Sequence, residues 1–120
     1  MIKEWGEMAS ELSKLVGQVR GGAPDAMKGF SALAKAATAG GALDAKTKEL
    51  MALALGIAAR CDGCLAFHAK AVLDLGGTRE EVMETVAMSV YMGGGPSLMY
   101  GALALEAYDQ YVARKAVVAG

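Results

Sequence analysis

The chain reads as an all-α protein, a single-domain bundle of about six helices over residues 1–120 that assembles into an obligate oligomer. Three observations predict this. Apolar residues recur at helical spacing along successive segments, and no stretch alternates with the two-residue period of a strand. Glycine-rich steps punctuate the chain at Gly21-Gly22, Gly40-Gly41, Gly76-Gly77 and Gly93-Gly94-Gly95-Pro96. The hydrophobic fraction is 54% and the mean hydropathy +0.32, high for a chain so small that most of its residues lie near the surface. A monomer would leave much of that apolar area in water, so assembly is expected.

The elements follow in order. Ile2 to Arg20 carries a stripe of Ile2, Trp5, Met8, Ala9, Leu12, Leu15, Val16 and Val19, and Gly21-Gly22 ends it. Trp5 reads as a packing anchor or a subunit contact. Pro24 followed by Asp25 suits the first turn of a second helix running to Ala39, with Met27, Phe30, Leu33 and Ala34 as its inner face. Asp44 is a fitting N-cap for a third helix, Lys46 to Ala59, which buries Leu50, Leu53, Ala54 and Ile57. Arg60 to Gly63 offers a turn, and a fourth helix from Cys61 ends at Gly76-Gly77, a left-handed cap signal. Thr78-Arg79-Glu80-Glu81 is a capping box opening a fifth helix with Val82, Met83, Val86, Ala87 and Val90 on its apolar side. No charge occurs from Thr85 to Leu105, yet Gly93 to Pro96 cuts this stretch into pieces too short for a membrane of ~30 Å. A sixth helix runs from Pro96 to about Val117. Gly93 to Gly95 is a helix-breaking turn, since a phosphate cradle would want a preceding strand and a lysine.

The chemistry is concentrated in one place. The two cysteines and the single histidine fall within eight residues, Cys61-Asp62-Gly63-Cys64-Leu65-Ala66-Phe67-His68. On a helix, Cys61, Cys64 and His68 stand at i, i+3 and i+7 and share a face. The i, i+4 spacing of Cys64 and His68 lets an imidazole exchange a proton with a thiol. One turn separates the cysteines, close enough for a disulfide, and both lie where a helix N-terminus favours thiolate. Glu49 joins by geometry: about 16 Å back from a turn at Arg60, against about 10 Å forward to His68, it comes within roughly one turn of the imidazole across a helical hairpin. A carboxylate there orients the ring and holds its proton, completing a nucleophile, base and orienter set.

A Glu twelve residues before a C-x-x-C, with a His four residues after the second Cys, resembles the AhpD-like alkylhydroperoxidase branch of the carboxymuconolactone decarboxylase family. The similarity covers roughly Leu43 to Tyr108 and includes the Gly76-Gly77-Thr78 break. It implies an all-helical subunit, oligomerisation as a trimer or hexamer, and peroxide reduction or thiol-disulfide exchange. The family's motif maps onto Glu49, Cys61, Cys64 and His68 as catalytic residues. Some members carry another His just before the second Cys, where this chain has Gly63. The implied partners are a small-molecule hydroperoxide and an external dithiol or redox-protein reductant, with no bound cofactor or metal.

Other features bound the reading. Net charge is −1 and basic runs are short, which leaves no footing for a nucleic acid. The first residues, Met1-Ile2-Lys3-Glu4-Trp5, do not read as a secretory signal, so a cytoplasmic setting is expected, where a C-x-x-C cycles between thiol and disulfide. Without strands, the dithiol does not belong to a thioredoxin-type βαβ unit. Asp62 reads as a solvated first-turn acid that slightly opposes thiolate formation. Tyr91, Tyr100, Tyr108 and Tyr111 read as packing residues, with Tyr91 or Tyr100 able to line a substrate entrance, and the eight Met residues as gap fillers. Three other functions remain open on the residues alone: lactone decarboxylation or a related proton transfer by Glu49 and His68, a zinc site of Cys61, Cys64, His68 and Glu49, and a thiol sensor or assembly subunit.

Overall fold

A computed structural model describes residues 1–119. Six helices and no strands occur among them: α1 (Trp5–Gly22), α2 (Pro24–Thr38), α3 (Ala45–Ala58), α4 (Asp62–Asp74), α5 (Arg79–Gly93) and α6 (Gly95–Ala119). Their packing centres on α3, α4, α5 and α6, and α1 lies across α4 and α6. The core is formed by Leu53 and Ile57 from α3, Leu65, Ala66, Ala69 and Val72 from α4, Val82 and Val86 from α5, and Ala104, Ala107, Tyr108 and Tyr111 from α6, with Trp5 closing it from α1.

Local chemistry accounts for the helix ends. Asp44 caps α3 by accepting the Thr47 N–H at 2.7 Å. Thr78 and Glu81 form the reciprocal capping box at α5, with Glu81 N–H donating to Thr78 Oγ1 at 3.1 Å and Thr78 N–H donating to Glu81 Oε1 at 2.9 Å. Gly76 takes a left-handed φ of 82° after α4. The next residue, Gly77, is buried, and its carbonyl accepts the Tyr108 hydroxyl at 2.8 Å, tying the α4–α5 turn to α6. Gly94, at φ 72°, makes the break before α6.

Several expected faces differ from the observed ones. None of the described residues of α2 is buried, and Phe30 and Leu33 are more than three-fifths exposed, so Met27, Phe30, Leu33 and Ala34 are not an inner face of this subunit. The stripe is real, but α2 touches only α1 and the start of the bundle. The far end of the α1 stripe, Leu15 and Val19, projects with it. Met83 and Ala87 of α5 are exposed, because the bundle is met by the narrower Val82 and Val86 edge. Helix α1 starts at Trp5, since the N–H groups of Ile2 and Lys3 are taken by the Glu106 carboxylate at 2.7 and 3.0 Å. It continues through Gly21 and Gly22 to an Ala23 C-cap, because neither glycine there adopts a left-handed φ. No helix among the described residues is long and apolar enough to cross a membrane.

Candidate active site

Helices α3 and α4 form the hairpin that places the motif. Between them Arg60 adopts φ 55°, the one non-glycine residue of the described chain with positive φ, and this sharp reversal lays α4 back along α3. The approach is close at Gly56, where an added Cβ would stand 3.0 Å from the Cβ of Cys64. Glycine there lets the backbone of α3 lie directly beneath the second cysteine.

Cys61 is the N-cap of α4, and its Sγ accepts the Cys64 N–H at 3.2 Å. The two cysteines form a disulfide, with Cα atoms 5.2 Å apart, well inside the range such a bridge requires. Both sulfurs therefore lie at the positive end of the helix dipole, beside N–H groups that have no partner inside the helix.

One turn deeper, His68 Nδ1 lies 2.6 Å from Glu49 Oε2. The separation of 19 residues is spanned by the hairpin, and the two side chains that the sequence places within a turn of each other meet directly. Glu49 is 8% exposed, and a carboxylate so enclosed demands a donor. With Glu49 ionised, the Nδ1–H of His68 donates to it and the lone pair is left on Nε2, the nitrogen free to take a proton. The His68 side chain keeps about a third of its surface open to solvent. No hydrogen bond joins it to the bridged sulfur of Cys64 among the described residues.

Two neighbours, Lys3 and Leu12, were not legible from the motif, and a third, Gly56, was. Lys3 forms an ion pair with Asp62, so Asp62 is not a simply solvated acid and its repulsion of a nearby thiolate is offset. Lys3 is brought there because the segment before α1 is strapped to α6, through Glu106 and through Gln110, whose side-chain amide donates to the Lys3 carbonyl at 2.6 Å. Nothing local signals this pairing across 59 residues. Leu12 of α1 covers Gly63: an added Cβ would come within 2.6 Å of its Cδ2, so a histidine at this position would have to push the Leu12 side chain aside. Gly56 had a signal, as a small residue on the same α3 stripe as Glu49 and Leu53. Among the tyrosines, Tyr91 is exposed on α5, Tyr100 packs against the core, and Tyr108 and Tyr111 are buried.

Among the described residues no three His, Cys, Asp or Glu side chains are grouped to hold a metal ion, so the zinc reading finds no arranged ligand set. What the site does offer is a reducible sulfur pair, a base with one free nitrogen, and a carboxylate that sets its tautomer.

Known proteins share this fold. The model of the carboxymuconolactone decarboxylase family matches residues 24–107. An uncharacterized protein of Cupriavidus necator is 40% identical over 100 residues, covering 83% of this chain and 88% of its own. The crystal structure of a carboxymuconolactone decarboxylase family protein from Legionella pneumophila, in its apo form, superposes with a TM-score of 0.88 at 49% identity, covering 90% of this chain and 96% of that one. A Thermotoga maritima member of the family, a candidate for a role in antioxidative response, superposes with a TM-score of 0.77 at 28% identity over 94% of this chain and 93% of its own. With the family model matched over residues 24–107 and these relatives covered along most of their length, the chain belongs to the carboxymuconolactone decarboxylase family.

Proposed function

We propose that this protein is a thiol-dependent peroxidase, also acting as a disulfide reductase, in which Cys64 attacks hydroperoxides and Cys61 resolves the product. The observation that carries the reading is the Cys61–Cys64 disulfide at the mouth of α4, one turn from a His68 whose Nδ1 is held by Glu49. In the reduced enzyme His68 Nε2 accepts the Cys64 proton. The thiolate attacks one oxygen of the O–O bond, and the departing alkoxide takes the proton back from the imidazolium, giving Cys64 sulfenic acid and an alcohol. The Cys61 thiol then displaces that hydroxyl as water and closes the disulfide. An external dithiol restores the pair by exchange, entering at Cys61, and leaves as its own disulfide. No bound cofactor enters the cycle. The reducing cytoplasm is the compartment in which such a cycle can be refilled. Assembly into a homo-oligomer, a trimer or hexamer, would cover the exposed faces of α2 and of Met88 and Met92 on α5.

Reduced protein given one equivalent of peroxide should lose the mass of two hydrogens, and should turn over with hydroperoxide when a dithiol is supplied. Cys64→Ser should remove both, with turnover falling on the order of 10³-fold or more. A single oxidation without turnover identifies a sensor instead. Consumption of a lactone by protein with alkylated thiols identifies acid–base chemistry at Glu49 and His68.

A further inference from the structure

A cavity lies away from the disulfide, between α1, α4 and the last turns of α6, with a volume of about 470 Å³. That is within the ~300–1,000 Å³ of small-molecule sites. Its walls are apolar where Phe67, Leu73 and Val118 face it. At its base stands Tyr111, 6% exposed, whose buried hydroxyl has no hydrogen-bond partner among the described residues. An enclosed hydroxyl without a partner is uncommon in a native fold and asks what it is meant to meet.

The charges around it answer. Arg114 and Lys70 line the cavity with Tyr111, and both act on its hydroxyl. Burial pushes the phenol above its ordinary range, the two cations oppose that rise, and the group remains an O–H donor at neutral pH. Lys70 is paired with Asp74 at 2.6 Å, whereas Arg114 and Lys115 have no carboxylate partner among the described residues. The Arg114 guanidinium lies over Gly6 of α1, in space a Cβ would occupy. A glycine thus leaves room for the cation of an arginine that lines an apolar cavity together with a phenol that has no hydrogen-bond partner among the described residues.

We infer that this cavity binds an amphiphilic organic monocarboxylate, its head held by Arg114 and the Tyr111 hydroxyl and its medium-chain body against Phe67 and Leu73. The bidentate fork of a guanidinium suits a carboxylate, and the phenol completes the set of donors. The site shares no residue with the Cys61, Cys64, His68 and Glu49 group, so it stands or falls separately from the peroxidase reading.

Calorimetric titration of the full chain with sodium octanoate tests it, with octan-1-ol and octyltrimethylammonium as controls. The expected result is saturable binding of one octanoate per chain, absent with both controls. Arg114→Gln should weaken it about tenfold or more. Gly6→Ala, which keeps the charge but pushes the guanidinium aside, should weaken it as well. Tyr111→Phe removes a hydroxyl that bonds to nothing in the free protein, so thermal unfolding should hold while octanoate affinity falls several-fold. Absence of saturable octanoate binding, equal binding of octan-1-ol, or unchanged affinity in Arg114→Gln overturns the proposal.

Discussion

Helices α2 and α3 are of similar length and both carry apolar stripes, yet they have opposite fates. Leu53 and Ile57 of α3 are wholly enclosed, whereas Phe30 and Leu33 of α2 project into solvent. The difference lies in what each packs against. Helix α3 is flanked by α4, α5 and α6, whereas α2 lies beside α1 and only brushes α3. An amphipathic stripe states that a face needs cover without saying what supplies it. The reacting groups belong to the first kind of region: Glu49 is set on the same side of α3 as Leu53 and Gly56, inside a packed wall that holds its carboxylate against His68.

The contrast can be broken most forcefully by truncation. Leu53→Ala should cost about 2–5 kcal/mol in urea unfolding, since it opens a cavity in close packing. Leu33→Ala should change the stability of the isolated subunit by no more than about 0.5 kcal/mol. If α2 is covered by a second copy, sedimentation should show Leu33→Ala weakening assembly while Leu53→Ala lowers the stability of every species. Equal stability losses at the two positions would contradict the contrast.

A finer test acts within the packed wall. Glu49→Gln removes the charge that keeps the proton on His68 Nδ1, and should slow peroxide turnover by ~10–100-fold while the disulfide still forms.

Acid probes the fastenings of the bundle. The Glu106 carboxyl sits below its ordinary 4.5 because the N–H groups of Ile2 and then Lys3 donate to it. Glu81 is lowered chiefly by its hydrogen bond from Lys46, and Asp44 is lowered from 3.8 by the Thr47 cap. Each carboxylate is favoured in the folded state, so its contribution is complete above the ordinary value and is lost as pH falls through the depressed one. Thermal midpoints should therefore decline below about pH 4.5. Glu106→Gln should flatten part of that decline and free the segment before α1.

The smallest effect should come from Lys3. Lys3→Met leaves Asp62 unpaired near the sulfurs and should slow iodoacetamide alkylation of the reduced protein by about two- to threefold, the size an exposed ion pair allows. Faster alkylation would show that Lys3 shields the thiols more than it offsets Asp62.

The sequence by itself determined the helical class, the number of helices, the caps at Asp44 and Thr78, the breaks at Gly76 and Gly94, and the grouping of Glu49, Cys61, Cys64 and His68. All of these depend on neighbours within a few turns, or on two helices joined by one short reversal, so spacing alone carries them. Tertiary structure decided that α2 stays uncovered, that Leu12 fills the space above Gly63, that Lys3 answers Asp62, and that Arg114 crosses to Gly6 beside the cavity that Tyr111 lines. Those contacts join residues far apart in the chain. Their partners are chosen by how whole helices pack, and no local periodicity encodes that choice.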